Sequence, residues 1–246
     1  MVDSLEKANV KTFLRGKVVL VEGGTGALGS VLAAEFIKNG AIVYSTIAQR
    51  YSDQMRAGDS SRAISYVQAD VTNVQSVERL FGQIVGDAGR VDIVVNTVGG
   101  FVPGKPISDT PVEDWDTMMN LNARSAFLST REALRRMRGQ SYGRIVNISA
   151  MTGIVPVPNR AAYAISKSVV SLLSELAGSE MAGSGITVNA VAPSIIDTPA
   201  NRASMPDQNF SKWVKPESIF KTIAFLCSEA GGAISATTVR AVGGVQ

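Results

Sequence analysis

Histidine is absent from all 246 residues, and cysteine occurs once, at Cys227. Without histidine there is no Ser-His-Asp triad, no Cys-His pair and no His-ligated metal. Proton transfer near neutral pH is left to a carboxylate, a lysine, a tyrosine or that one thiol. A single cysteine rules out an intrachain disulfide and fits a reducing compartment, so a cytoplasmic location is expected. No run of about 18 uncharged apolar residues occurs, so no membrane span is expected. The acid-bearing start MVDSLEKANVKTFLRGK lacks the apolar centre of a signal peptide. Net charge is only +3, too little to argue for nucleic acid. The densest basic run, REALRRMRG with Arg131, Arg135, Arg136 and Arg138, has the spacing of a solvated helix face.

What the chain does have is a packed, alternating pattern, with 45% apolar and 18% charged residues. Short β-branched runs at 17–23, 41–47, 63–70, 91–99, 143–150, 186–193 and 236–244 read as strands. Helical patterns fall between them at 27–39, 74–88, 112–138, 161–182 and 216–228. Such alternation predicts βαβ units and a parallel sheet, and strands apolar on both faces predict helices on both sides. Nothing reads as a repeat or a linker. The expectation is an α/β protein: an N-terminal extension over 1–15, then one doubly wound domain of about seven strands over 16–246.

Between the first strand and first helix the chain crowds Gly23, Gly24, Gly26 and Gly29. Gly24-Thr25-Gly26-Ala27-Leu28-Gly29 matches G-x-G-x-x-G in the first βα turn, the Rossmann-type place for a dinucleotide pyrophosphate. Gly23, Thr25, Gly26, Ala27, Leu28 and Gly29 are the candidate phosphate contacts. An acid about 20 positions on would hold the ribose 2′-hydroxyl of NAD. The second strand instead ends Ile47-Ala48-Gln49-Arg50. That ending favours a 2′-phosphate held by Arg50, so NADP(H) is expected ahead of NAD(H).

Tyr163 and Lys167 stand four apart in a helical pattern and so share a face. A free tyrosine has a pKa near 10, and a neighbouring ammonium would lower it toward useful proton transfer. With these residues in view, the span from about 15 to 246 resembles the short-chain dehydrogenase/reductase family. The matching landmarks are the glycine turn, ADVTN at 69–73, NTVGG at 96–100, NLNARSAF at 120–127, GRIVNISA at 143–150, Tyr163-x-x-x-Lys167, and VNAVAPSIIDTP at 188–199.

The resemblance implies a hydride transfer between a nicotinamide and a small carbonyl, alcohol or pterin-like substrate. It makes Tyr163 the general acid/base, Lys167 its partner and the holder of the nicotinamide ribose, and Asn122 the holder of a relay water. Asp70 and Val71 would border the adenine. Asn96, Val98 and Gly99 would line the cofactor, while Pro193, Ile196 and Thr198 would meet the nicotinamide end. It also implies a homodimer or homotetramer through the helices carrying NARSAFLSTREALRRM and YAISKSVVSLLSEL.

Two departures from the family pattern stand out. Glu22 and Ala27 replace a threonine and a glycine of the usual loop. The catalytic serine slot, about thirteen residues before the tyrosine, falls on Ala150, with Ser149 beside it; Ser149 serves only if the strand end shifts by one. Residues 23–30 and 197–213 are similar to dihydropteridine reductases, which also lack that serine. Phe101, Val102 and Val155–Val157 are expected to line one wall. The segment 194–215, with Met205, Phe210 and Trp213, reads either as a lid or as a surface loop pinned by those apolar groups. The rival to an enzyme is a catalytically weak NAD(P)-binding sensor or scaffold.

Overall fold

The computed structural model describes residues 13–48 and 64–244. Within them lie β1 (Val18–Glu22), α1 (Ala27–Lys38), β2 (Ile42–Ile47), β3 (Ile64–Gln68), α2 (Val74–Ala88) and β4 (Ile93–Asn96). The chain continues with α3 (Val112–Met118), a π-helical turn (Met119–Arg124), α4 (Ser125–Met137), β5 (Gly143–Ile148) and α5 (Ala161–Glu180). It ends with β6 (Ile186–Pro193), α6 (Pro199–Ser204), α7 (Pro216–Cys227) and β7 (Thr237–Ala241). The strands form one parallel sheet in the order β3-β2-β1-β4-β5-β6-β7. Strand order reverses between β1 and β4, and crevices at such a switch point hold ligands at the carboxyl ends of the strands.

Alternation along β1 explains the two covering layers. Val19 and Val21 pack with Leu32 and Phe36 of α1 and with Ile219, Phe220 and Ile223 of α7. Val18 and Leu20 face the other way, onto Leu80 and Phe81 of α2 and Leu128 and Met137 of α4. Phe36 meets Phe220 edge to face at 5.2 Å, which ties α1 to α7 across the first layer. Strands β1, β4, β5 and β6 are buried on both faces, which is why they read as continuous runs rather than alternating ones.

Local signals set several boundaries. The Asn73 side chain accepts the Ser76 N–H and starts α2, and Gly89, at φ 76°, ends it. Pro216 opens α7, where its missing N–H costs nothing. The pattern at 112–138, read as one helix, is divided by the π turn at Met119–Arg124. No helix among the described residues is long and apolar enough to cross a membrane.

Candidate active site

β1 ends at Glu22, and the chain turns at Gly23, whose φ of 82° belongs to the left-handed region. The Gly23 N–H donates to Thr46 Oγ1 of β2 at 2.8 Å, and the Gly26 N–H donates back to the Gly23 carbonyl at 2.8 Å. Gly29 lies so close beneath that an added Cβ would stand 2.2 Å from the Gly23 carbonyl oxygen. Gly26 caps α1 without a side-chain bond, and no acid occupies the first turn. Thr25, Gly26 and Ala27 are exposed while Leu28 and Gly29 are buried. The result is a smooth backbone cradle at the positive end of a helix, which fits a pyrophosphate.

Glu22 does not face that cradle. It continues the Val18–Leu20 face of β1, so its side chain points to α4, where Oε1 accepts from Ser129 Oγ at 2.7 Å. The residue is 0% exposed, and Oε2 has no hydrogen-bond partner. Burial lifts its carboxyl to about 7 against the opposing pull of the Ser129 bond. Its main-chain carbonyl accepts both the N–H and the hydroxyl of Thr97, at 3.1 and 2.6 Å, which locks the β1 and β4 ends together.

The loop after β4 is fixed by side chains. Asn96 Oδ1 accepts the Val98 N–H at 3.2 Å. Asn122, in the π turn, is 1% exposed and clamps Gly100 from both sides. Its Oδ1 accepts the Gly100 N–H at 2.8 Å, and its Nδ2 donates to the Gly100 carbonyl at 3.2 Å and to Ser166 Oγ at 2.9 Å. The Asn122 carboxamide is therefore fully engaged by protein; a relay water would have to be held by its main chain. The Gly99 backbone runs so near that a Cβ there would stand 2.7 Å from Asn122 Oδ1 and 3.0 Å from Lys167 Nζ.

Tyr163 and Lys167 share the inner face of α5, as their spacing predicts. The buried Lys167 ammonium donates to the Ile148 carbonyl at the end of β5, at 2.9 Å, and burial pushes its pKa down to about 8. The Tyr163 ring meets the edge of Phe101 at 5.2 Å, and its hydroxyl has no partner among the described residues. Burial raises the Tyr163 pKa, and the charge that opposes the rise is that of Arg160. The expected pair thus lies on one helix face, with the Lys167 ammonium turned onto a strand carbonyl.

Ser149 turns toward α5. Its hydroxyl bonds to the Lys167 carbonyl and to Ser171 Oγ, both at 2.8 Å, and the residue is 2% exposed. Successive extended residues point to opposite faces, so Ser149 packs against α5 and Ala150, at φ −156° and ψ 153°, takes the serine slot. The Ser149 hydroxyl is thus engaged by α5.

The remaining expected contacts lie at or beyond the carboxyl ends of β3 and β6. Asp70 Oδ1 accepts from the N–H and the hydroxyl of Thr72, at 2.9 and 2.7 Å, and Arg124 of the π turn ties down the Thr72 carbonyl at 2.9 Å. Val71 is buried in the core beside α2. Pro193 closes β6. The Ile196 carbonyl accepts from Asn201 Nδ2 at 2.8 Å, and Thr198 Oγ1 caps α6 by accepting the Asn201 N–H at 3.2 Å. Of the two readings for 194–215, the structure shows the pinned one. Trp213 is 4% exposed, Phe210 packs on it at 4.7 Å, and Ile196 pairs with Val214. Arg50, the expected phosphate partner, lies outside the described residues. Thr46, Thr97, Ser166 and Arg160 were not anticipated; a threonine or serine carries no sequence signal for such a bond, whereas Arg160 stood visible three residues before Tyr163.

A doubly wound sheet with a glycine cradle at its switch point, and a Tyr-Lys pair across the cleft, defines a dinucleotide-dependent oxidoreductase. Residues 17–209 match the family model described as short chain dehydrogenase. The chain is 31% identical over 252 residues to a short-chain type dehydrogenase/reductase of Picea abies, covering 94% of this chain and 93% of that one. It is 30% identical over 243 residues to the 3-oxoacyl-[acyl-carrier-protein] reductase FabG of Haemophilus influenzae, covering 94% and 99%. The solved structure of ElxO with NADP bound superposes with a TM-score of 0.85 at 30% identity, covering 93% and 98%. The chain belongs to the short-chain dehydrogenase/reductase family and is an NAD(P)-dependent oxidoreductase.

Proposed function

We propose that the protein reduces a small carbonyl compound with NADPH, or oxidises the corresponding alcohol, using Tyr163 as the group that gives and takes the proton. The observation that carries this reading is the convergence of the glycine cradle, Gly99, Lys167 and the unpartnered Tyr163 hydroxyl on one edge of the sheet. When bound, the reduced cofactor supplies a hydride to the carbonyl carbon. The protein's part is to bind the pyrophosphate at Gly23–Gly29, to hold the ribose with Lys167, and to protonate the carbonyl oxygen from Tyr163. Asn122 keeps the Gly99–Gly100 backbone in place beside them, and Thr198 and Ile196 border the nicotinamide end. Ala150 leaves the carbonyl oxygen with one donor fewer than the family pattern, so activated carbonyls are the better substrates.

Two observations support NADP(H) over NAD(H). β2 runs out through Thr46, Ile47 and Ala48 with no acid to repel a 2′-phosphate, and the similar solved structure of ElxO has NADP bound. Titration of NADPH and NADH, followed by reduced-nicotinamide fluorescence, tests this. NADPH binding tighter by about tenfold, or about 1.4 kcal/mol, is expected; equal or tighter NADH binding contradicts it. Ketones, oxoacyl thioesters and a quinonoid dihydropterin then form the substrate panel.

We also infer that the protein assembles as a homodimer or homotetramer. Phe127 on α4 and Ile165, Leu172 and Leu176 on α5 are exposed, beside a groove of about 800 Å³ bordered by Met119 and Leu173. Several large apolar side chains exposed on two successive helices suit an interface between copies of the chain. Sedimentation of wild type and Leu172→Glu tests it: association lost in the variant supports the inference, and a monomeric wild type contradicts it.

A further inference from the structure

The wall of the cleft beyond Tyr163 carries charge that the reductase reading does not use. Asn159 adopts a left-handed φ of 63° and delivers Arg160 at the head of α5. The loop at 101–105 presses onto this turn so closely that a Cβ on Gly104 would stand 1.6 Å from the Asn159 carbonyl oxygen. Arg160 is exposed and makes no ion pair or hydrogen bond through its side chain among the described residues. What positions it is the Phe101 ring, 5.5 Å from the guanidinium carbon, within cation–π range. The same ring lies edge-on to Tyr163 at 5.2 Å. One aromatic side chain thus touches both the tyrosine ring and the guanidinium, and the centre of the Tyr163 ring lies no farther from the guanidinium carbon than those two distances combined.

Lys105 lines the same hollow and is equally unpaired, and the acid there is Asp114 of α3. Two cations against one acid leave the wall net positive. The charge of Arg160 reaches the phenol, since it opposes the burial that raises the Tyr163 pKa.

We propose that Arg160 is the specificity residue for a carboxylate on the substrate, so that the preferred substrates are short oxo acids and the hydroxy acids formed from them. This rests on the reductase reading above and names its substrate class. A guanidinium without a protein partner among the described residues, bordering the same hollow as Tyr163, matches a carboxylate in two parallel hydrogen bonds. Lys105 adds a second, looser charge at the rim. The bound acid would lie against Phe101, which excludes water from one side of the ion pair.

The test compares short oxo acids with their methyl esters, following NADPH consumption by wild type, Arg160→Gln and Arg160→Lys. Wild type is expected to favour the acid in kcat/KM. Arg160→Gln is expected to lower the acid-to-ester ratio by about tenfold to a hundredfold, mainly through KM, the scale of one lost charge-assisted bond. Arg160→Lys is expected to recover part of it, and added salt to erode the wild-type preference. Esters used as well as acids, with a ratio that Arg160→Gln does not move, would overturn the subsite and leave the reductase standing. No turnover of acid, ester or neutral ketone by wild type would overturn the reductase reading and this inference with it.

Discussion

The glycine turn after β1 and the face of α5 build their halves of the site from opposite materials. At the turn, the site is made of backbone: side chains are removed at Gly23 and Gly29, where a Cβ would meet Thr97 and the Gly23 carbonyl, and this leaves the smooth cradle proposed to take a phosphate. At α5, recognition is made of side chains: Lys167 is held by a buried bond to a strand end and Asn122 by one to Ser166, while the Tyr163 ring rests against Phe101. The first half tolerates little added volume and is indifferent to pH. The second tolerates changes of volume poorly matched to its bonds and is governed by charge. Each half also hides one buried ionisable group behind it, Glu22 and Lys167, and these respond to pH in opposite directions.

The largest effect should come from filling the turn. Gly29→Val places atoms where a Cβ alone already meets the Gly23 carbonyl at 2.2 Å. The expected outcome is a loss of about 3 kcal/mol or more in stability and a fall of at least about a hundredfold in NADPH affinity. Calorimetry and a fluorescence titration measure both. Normal cofactor binding by this variant would break the account of the turn.

Glu22→Gln comes next. The wild-type carboxyl moves from its ordinary 4.5 to about 7 on folding, so the folded state binds a proton that the unfolded state has released. Stability from this group is therefore intact below about pH 4.5 and lost as pH rises to about 7. Above that pH the full penalty applies, on the order of 3 kcal/mol. Wild type should lose melting temperature between about pH 5 and pH 8, and Glu22→Gln should lose markedly less. Parallel pH profiles for the two would show that Glu22 keeps an ordinary carboxyl in the fold.

Ser149→Ala should be the smallest. It removes the bonds to the Lys167 carbonyl and Ser171, at a cost of about 1–2 kcal/mol in thermal unfolding. Turnover should hold, because this hydroxyl faces the helix and not the substrate. A drop in kcat of a hundredfold or more without a change in stability would return Ser149 to the chemistry.

The same contrast explains what the sequence could convey. The glycine turn was legible because a backbone cradle needs particular residues at particular spacings, directly after a strand and before a helix. The helix at 74–88 was legible from its pattern, and local signals at Asn73 and Gly89 bound it in the structure. The direction of the Lys167 ammonium was not legible, since Tyr163 and Lys167 declare a shared helix face but the Ile148 carbonyl that captures the lysine comes from a distant strand. The destination of Glu22 depends in the same way on Ser129, 107 positions away. The π turn at Met119–Arg124 left the apolar spacing of 112–138 continuous to the eye. The six-residue α6 is too short to show a period, so 194–215 looked like loop until Trp213 and the Ile196–Val214 pairing were seen.

Separability of the two halves is the central claim, and Tyr163→Phe tests it most directly. The substitution removes one oxygen from α5 and leaves the Phe101 contact and the glycine turn untouched. NADPH titration and carbonyl-dependent NADPH consumption should be measured on the same preparation. The account predicts cofactor affinity within about twofold of wild type and turnover reduced by at least about a thousandfold, near 4 kcal/mol of barrier. Turnover that survives the change, with cofactor binding equally intact, would contradict it.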